Sequence, residues 1–72
     1  MDNEVVADVA WLLEATLDGT HPVYVIRVVH GLAIYSTDID AALRFSRKQD
    51  AESMKYDIDG SSILTTTEHV WV

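Results

Sequence analysis

The sequence predicts an α+β fold: a small antiparallel sheet of four or five strands with one α-helix packed on a face, in the order β-β-β-β-α-β. Two observations predict it. Residues 23–29 are almost entirely β-branched or aromatic, which is typical of a strand. Residues from Arg47 onward place apolar side chains at helical spacing. With 72 residues, residues 1–72 form a single domain with one small core.

The first element, within residues 5–17, fits two structures. Apolar residues recur at helical spacing at Val6, Val9 and Leu13, and they also alternate as in a strand at Val9, Trp11 and Leu13. Propensity does not decide between them. One prediction is a first strand, and the alternative replaces that strand with an N-terminal helix.

The next two elements form a predicted hairpin. Residues 18–19, Asp-Gly, are typical of a turn, and the β-branched run over residues 23–29 follows. Residues 30–31, His-Gly, make a tight connection to a second apolar run over residues 32–35. These two strands therefore pair with each other.

The predicted helix begins at Arg47. Ser46 followed by Gln49 matches a capping box, in which the hydroxyl accepts a bond from a free amide at the helix start. Phe45 enters the core as a buried ring just before the helix. The apolar stripe of the helix faces the core and comprises Ala51, Met54 and Ile58.

Residues 57–62 end the helix and residues 63–72 form the last predicted strand. Alternate side chains of this strand share a face, with Thr65, Thr67, His69 and Trp71 on one side. Which of the two faces is buried stays open. A sheet this small has two edges, and one of them could pair with a second copy, so a homodimer is possible.

The charge balance limits the partners. Twelve acidic and five basic residues give a net charge of −7, so nucleic acid is a poor partner. No apolar run reaches the ~18 residues of a spanning helix, so neither a membrane nor secretion is expected and the location is cytoplasmic. The acids favour a partner protein with a basic surface, and four exposed turn residues are the candidates for binding it: Asp38, Asp40, Asp57 and Asp59.

Catalytic and metal chemistry has little support, so no enzyme and no cofactor is expected. The chain has no glycine elbow around a serine and no phosphate-binding loop. His21, His30 and His69 are scattered, and Glu68 and His69 point to opposite faces of a strand. The sequence predicts no metal site.

One calcium-like spacing stays as an alternative. Counting Asp57 as position one, oxygen ligands recur at the positions of an EF-hand loop as far as Glu68 at position twelve. Position six is Ser62 where the sharp turn needs glycine, and no exiting helix can follow the β-branched segment after Thr65. A local Asx turn, with Gly60 at positive φ, is the other interpretation.

Several blocks, taken together, resemble a family. They are residues 11–14 (WLLE), 37–38 (TD), 42–45 (ALRF), 50–51 (DA) and 68–71 (EHVW). Their order is similar to that in a group of short proteins encoded by tailed phages and prophages, and the resemblance covers nearly the whole chain. It implies a strand at residues 9–16, a short strand at the ALRF block and a helix starting near the DA block.

The family has no established activity, so no catalytic residue is carried over from it. The resemblance and the charge imply a non-enzymatic interaction module, a phage or prophage accessory protein that binds and modulates a host protein in the host cytoplasm. Inhibition of a bacterial defence system, as by anti-CRISPR proteins, is the expected role. The alternative is a small catalytic protein or one that binds calcium or zinc.

Overall fold

The computed structural model describes residues 8–71. The elements are β1 (Asp8–Thr16), β2 (Pro22–Val29), β3 (Leu32–Ser36), α1 (Lys48–Tyr56) and β4 (Thr65–Trp71), with 3-10 helices at Ile39–Ala41 and Ser61–Ile63. The four strands form one antiparallel sheet in the order β3-β2-β1-β4, and α1 packs on it. The predicted α+β class is confirmed. No helix among residues 8–71 has both the length and the apolarity needed to span a membrane.

β1 is one of the two inner strands of the sheet, which explains its mixed pattern in the sequence. Leu12 and Leu13 are adjacent, point to opposite faces of the sheet and are both fully buried. A strand buried on both faces loses the simple alternation of apolar and polar residues, and its apolar run then also fits a helix. The strand prediction for residues 9–16 is confirmed, and residues 5–7 of the alternative helix lie outside the described part.

The predicted hairpin of β2 and β3 is confirmed. His30 and Gly31 connect the strands, with φ angles of 51° and 80°. Two consecutive positive φ angles are characteristic of the tight two-residue turns that match the twist of paired strands. The register shifts between Val25 and Arg27, which marks a bulge at Ile26.

The main core lies between α1 and the face of the sheet that α1 covers, called the helix face below. Its buried members are Leu13, Ala15, Val25, Ala51, Ile58 and Leu64. Ala51 has no exposed surface, and its small side chain lets the helix lie close against the sheet. Its predicted core position is confirmed.

The predicted strand at the ALRF block is reduced to one bridge residue. β1 and β2 pair over only 3 residues of each and then diverge. Residues 43–45 fill the space between them: Trp11 and Phe45 exchange two backbone hydrogen bonds of 2.8 and 3.0 Å, and Leu43 N–H donates to the Val25 carbonyl at 3.0 Å. Phe45 packs against the core but is only partly buried, so the expectation of full burial was wrong.

The capping-box prediction was also wrong. α1 begins at Lys48, and its N-cap is Arg47, which makes no side-chain capping bond. Ser46 lies one residue too early, because the backbone still follows the bridge at Phe45. In place of a cap, the Arg47 guanidinium donates to both oxygens of Asp50, at 3.2 and 3.1 Å.

β4 is shorter than predicted. Residues 61–63 form a 3-10 helix, Leu64 is buried in the connection, and the strand runs from Thr65 to Trp71. Val72 lies outside the described part. The sequence left open which face of the last strand is buried. In the structure, neither face of β4 is fully covered.

Candidate protein-binding surfaces

The first acidic turn, at Asp38 and Asp40, is used within the molecule. The Trp71 indole N–H donates to Asp40 Oδ1 at 2.9 Å. The Arg44 guanidinium lies 3.8 Å from the centroid of the same ring, and the His69 ring meets it edge-on at 4.3 Å. Asp38 accepts the Asp40 N–H at 3.0 Å and caps the short 3-10 helix. These carboxylates therefore support the fold.

This cluster holds residues 39–44 against the outer face, the face of the sheet away from α1. Trp71 and His69 lie on that face, because their pairing partners Asp8 and Ala10 point away from the core. Leu12 and Ala10 are buried on the same face, and Ala42 is buried as well. The segment thus covers a second, smaller apolar layer.

The second acidic turn is exposed. Asp59 N–H donates to the Gly31 carbonyl at 2.8 Å, which ties the turn to the tip of the β2–β3 hairpin. A Cβ atom at Gly31 would lie 3.4 Å from Asp59 Oδ2, so a small residue is needed at this approach. Among residues 8–71, neither the Asp57 nor the Asp59 carboxylate has an ion-pair partner within 4.0 Å.

Exposed apolar side chains occur next to this turn in the chain and at the hairpin tip that it contacts. Tyr56, the last residue of α1, is 84% exposed, and Leu32, next to Gly31, is 61% exposed. Val29 is also exposed, and it and its partner Leu32 point to the outer face of the sheet, because their neighbours Val28 and Ala33 pack on the core. We call this set, Val29, Leu32, Tyr56, Asp57 and Asp59, the corner surface. Exposed aromatic and apolar groups rimmed by polar residues are typical of protein interfaces.

Three other aromatic residues are less available to a partner than Tyr56. Tyr24 and Tyr35 are half-buried, and Trp71 is occupied by Asp40 and Arg44. Burial, and to a smaller extent the charge of Glu14, raise the pKa of Tyr24. Tyr56 was missed. Its exposure could have been predicted from the sequence, because Tyr56 lies off the apolar stripe of α1.

A second surface lies beyond the start of α1. An open groove of about 300 Å³ is lined by Asp8, Val9, Ala10, Arg44, Phe45 and Ser46. Next to it, Val9 pairs with Val70 across β1 and β4, and the two side chains are 49% and 46% exposed. A helix of 9 residues covers only about 14 Å of a strand pair about twice as long, which leaves this end of the helix face open.

The described residues do not gather metal ligands. No three side chains of His, Cys, Asp or Glu converge anywhere in residues 8–71. The EF-hand spacing fails because Thr65 and Glu68 both belong to β4 and point to opposite faces of the sheet. His21 is held by Asp18 at 3.1 Å in the β1–β2 loop, at the opposite end of β2 from His30.

The carboxylate in that loop is strongly stabilised. The backbone N–H groups of His21 and Thr20 donate to Asp18 at 2.8 and 2.9 Å. These bonds, followed by that of the His21 side chain, hold the pKa of Asp18 far below its usual value. Asp18 is thus an Asx-turn residue with a structural role.

Comparisons with protein-family models, with curated proteins and with solved structures find no match. The resemblance to phage and prophage proteins therefore stays an expectation. The surfaces described above are the basis for assigning a function.

Proposed function

We propose that the protein is a non-enzymatic protein-binding module whose corner surface docks on a basic surface of a partner protein. The observation that carries this proposal is the position of Asp57 and Asp59, two exposed carboxylates without ion-pair partners among residues 8–71, directly after the exposed Tyr56 and in contact with the hairpin tip that carries Leu32.

The physical argument has two parts. An aromatic ring and a leucine supply apolar area that gains free energy when a partner removes it from water. The carboxylates beside them select a basic partner and, together with a net charge of −7, accelerate association with it. Among the exposed large apolar residues of positions 8–71, Tyr56 and Leu32 have the highest exposed fractions.

The resemblance to phage and prophage proteins supports a bacterial host protein as the partner. Binding would then modulate that protein in the host cytoplasm, and inhibition of a defence system is the consequence that fits a small acidic binder. The notable difference from the sequence-based hypothesis is that only one of the two acidic turns is free for this role.

The test is affinity capture from a bacterial host lysate, followed by binding kinetics with the purified partner. The double variant Asp57→Lys, Asp59→Lys should slow association at least tenfold at low salt, whereas Tyr56→Ala should accelerate dissociation. The matched control is Asp50→Lys, Glu52→Lys, which makes the same change in net charge on α1, where both acids already have ion-pair partners.

The control pair should change association much less than the corner pair does. Raising the salt concentration until the Debye length falls well below ~10 Å should remove most of the difference. Normal binding by the corner variants, or equal effects of both pairs, would contradict docking through this surface.

A further inference from the structure

Among residues 8–71, one edge of β4 pairs with no other strand, and it presents a regular set of backbone groups. Trp11 exchanges its backbone hydrogen bonds with Phe45, on the side of β1 away from β4. Since hydrogen-bonded and non-hydrogen-bonded pairs alternate in antiparallel strands, the residues next to Trp11, Ala10 and Leu12, bond to β4 through His69 and Thr67. The N–H and C=O groups of Thr66, Glu68 and Val70 therefore point outward from the sheet.

Among residues 8–71, this edge has little of the usual protection against strand pairing, because Glu68 is its one charged side chain. β4 has 7 residues, contains no proline and pairs with β1 without a register shift. The opposite edge strand, β3, has only 5 residues and lies beside a bulge. Within the described part of the chain, β4 is thus the longer and more regular edge.

Two side chains on this edge define the chemistry of a partner. Glu68 and Val70 lie two residues apart on the helix face, where alternate side chains of a strand share a side. Glu68 is exposed and has no ion-pair partner within 4.0 Å among residues 8–71. Val70 is exposed beside Val9, at the end of the helix face that α1 leaves open.

We propose that β4 accepts an extended segment of a partner protein as a fifth antiparallel strand, with Lys or Arg opposite Glu68 and an apolar residue opposite Val70. The backbone groups supply affinity and the two side chains supply specificity. This site is on the opposite edge of the sheet from the β2–β3 hairpin, so it is independent of docking through the corner surface.

Charge argues for a basic segment in place of a second copy of this chain. Each copy carries a net charge of −7, so a dimer would bring two strongly acidic domains together. The symmetric register that uses all three outward residues would also place Glu68 opposite Glu68 of the second copy, and directly opposed like charges are destabilising.

The test uses a short synthetic peptide, acetylated and amidated, with the sequence Thr-Val-Thr-Lys-Thr-Val-Thr. Added to the protein, it should slow hydrogen exchange of the Thr66, Glu68 and Val70 amides at least tenfold at saturation. The amides of Thr67 and His69 should change little, because they already bond to β1. This alternation is specific to strand addition, and uniform or absent protection would overturn the proposal.

Substitutions at Glu68 and Val70 test how this edge of β4 recognises the peptide. Glu68→Lys should weaken binding of the Lys peptide about fivefold to tenfold, and a peptide with Glu in place of Lys should bind this variant better than wild type. Val70→Pro removes one outward N–H without touching the β1–β4 ladder, and it should abolish binding while the circular dichroism spectrum is retained.

The pair Asp57→Lys, Asp59→Lys is the control, since it alters the corner surface alone and should leave peptide binding within twofold of wild type. Protection of the outward amides without peptide, rising with protein concentration, would instead show pairing of two copies and overturn the choice of partner. Failure of one proposal therefore does not imply failure of the other.

Discussion

Among residues 8–71, Thr66 is the one residue with a buried side-chain polar atom that lacks a hydrogen-bond partner. This atom is its hydroxyl oxygen. A buried hydroxyl without a partner loses its bonds to water and gains none in return. The side chain lies on the helix face, opposite Leu13, where an apolar group fits better.

Thr66→Val should therefore stabilise the protein by about 1 kcal/mol, because it removes the unsatisfied hydroxyl and keeps the shape. Urea unfolding followed by circular dichroism measures this. Thr67→Val is the matched control on the next residue, since the Thr67 hydroxyl donates to Glu14 at 3.4 Å and should not be lost without cost. Destabilisation by Thr66→Val would indicate that a partner for the hydroxyl exists.

Ser46→Ala should change the free energy of unfolding by less than about 0.5 kcal/mol. A serine that caps a helix contributes about 1 kcal/mol, but no capping bond is formed here. The exposed Arg47–Asp50 ion pair contributes only a small amount in its place. A loss near 1 kcal/mol on thermal melting would restore the capping box.

Asp18 gives a pH-dependent prediction. Its pKa is depressed in the folded state, so the charged carboxylate contributes stability above the unfolded value of about 4, and this contribution is lost as the pH falls toward the folded pKa. The difference in melting temperature between wild type and Asp18→Asn should therefore shrink as the pH falls below about 4. A difference that stays constant down to acid pH would contradict this assignment.

At the scale of elements, the segment between β3 and α1 is the least regular part of the fold and is held at its two ends. Asp40 and Arg44 hold it to Trp71 on the outer face, while Leu43 and Phe45 bond into the gap between β1 and β2. Its stability therefore depends on a few side chains more than on helix or strand propensity.

Trp71→Phe should cost about 1 kcal/mol, because phenylalanine keeps a ring for Arg44 but cannot donate to Asp40. Asp40→Asn is the matched variant: its amide oxygen still accepts the indole N–H, so it should cost less. The free energies of unfolding of wild type and both variants are measured by urea unfolding followed by circular dichroism. Equal losses for both variants would mean that the hydrogen bond is not the main contribution of Trp71.

Phe45→Ala should cost about 2–3 kcal/mol, less than the 3–5 kcal/mol typical of a fully buried ring, because Phe45 is partly exposed. The backbone bridge to Trp11 remains in the variant. Urea unfolding would measure the loss, and a cost above 4 kcal/mol would place the ring in the core after all.

For the whole molecule, the sequence predicts what depends on local pattern. The β-branched run of β2, the turn at His30 and Gly31, and the buried Ala51 each have a local cause, and the structure confirms them. The long-range features could not be predicted from the sequence. Nothing near Asp40 in the sequence indicates its bond to Trp71, and nothing near Phe45 indicates the gap that it fills.

The pairing of β1 with β4 has a consequence for how the chain folds. Partners in this ladder are separated by 51 positions, from Glu14 to Thr65, up to 63 positions, from Asp8 to Trp71. Such distant contacts must close a long loop before they gain any free energy, and domains rich in them refold in milliseconds to seconds.

Stopped-flow refolding should therefore show a phase in that range, and complete refolding within microseconds would contradict it. During synthesis, β1 leaves the ribosome long before its neighbour β4. The β2–β3 hairpin can form while the edge of β1 that pairs with β4 is still unpaired. Leu12 and Leu13 stay exposed to other nascent chains for that interval. The interval of greatest aggregation risk is thus set by the delay between the synthesis of β1 and that of its edge-strand partner β4.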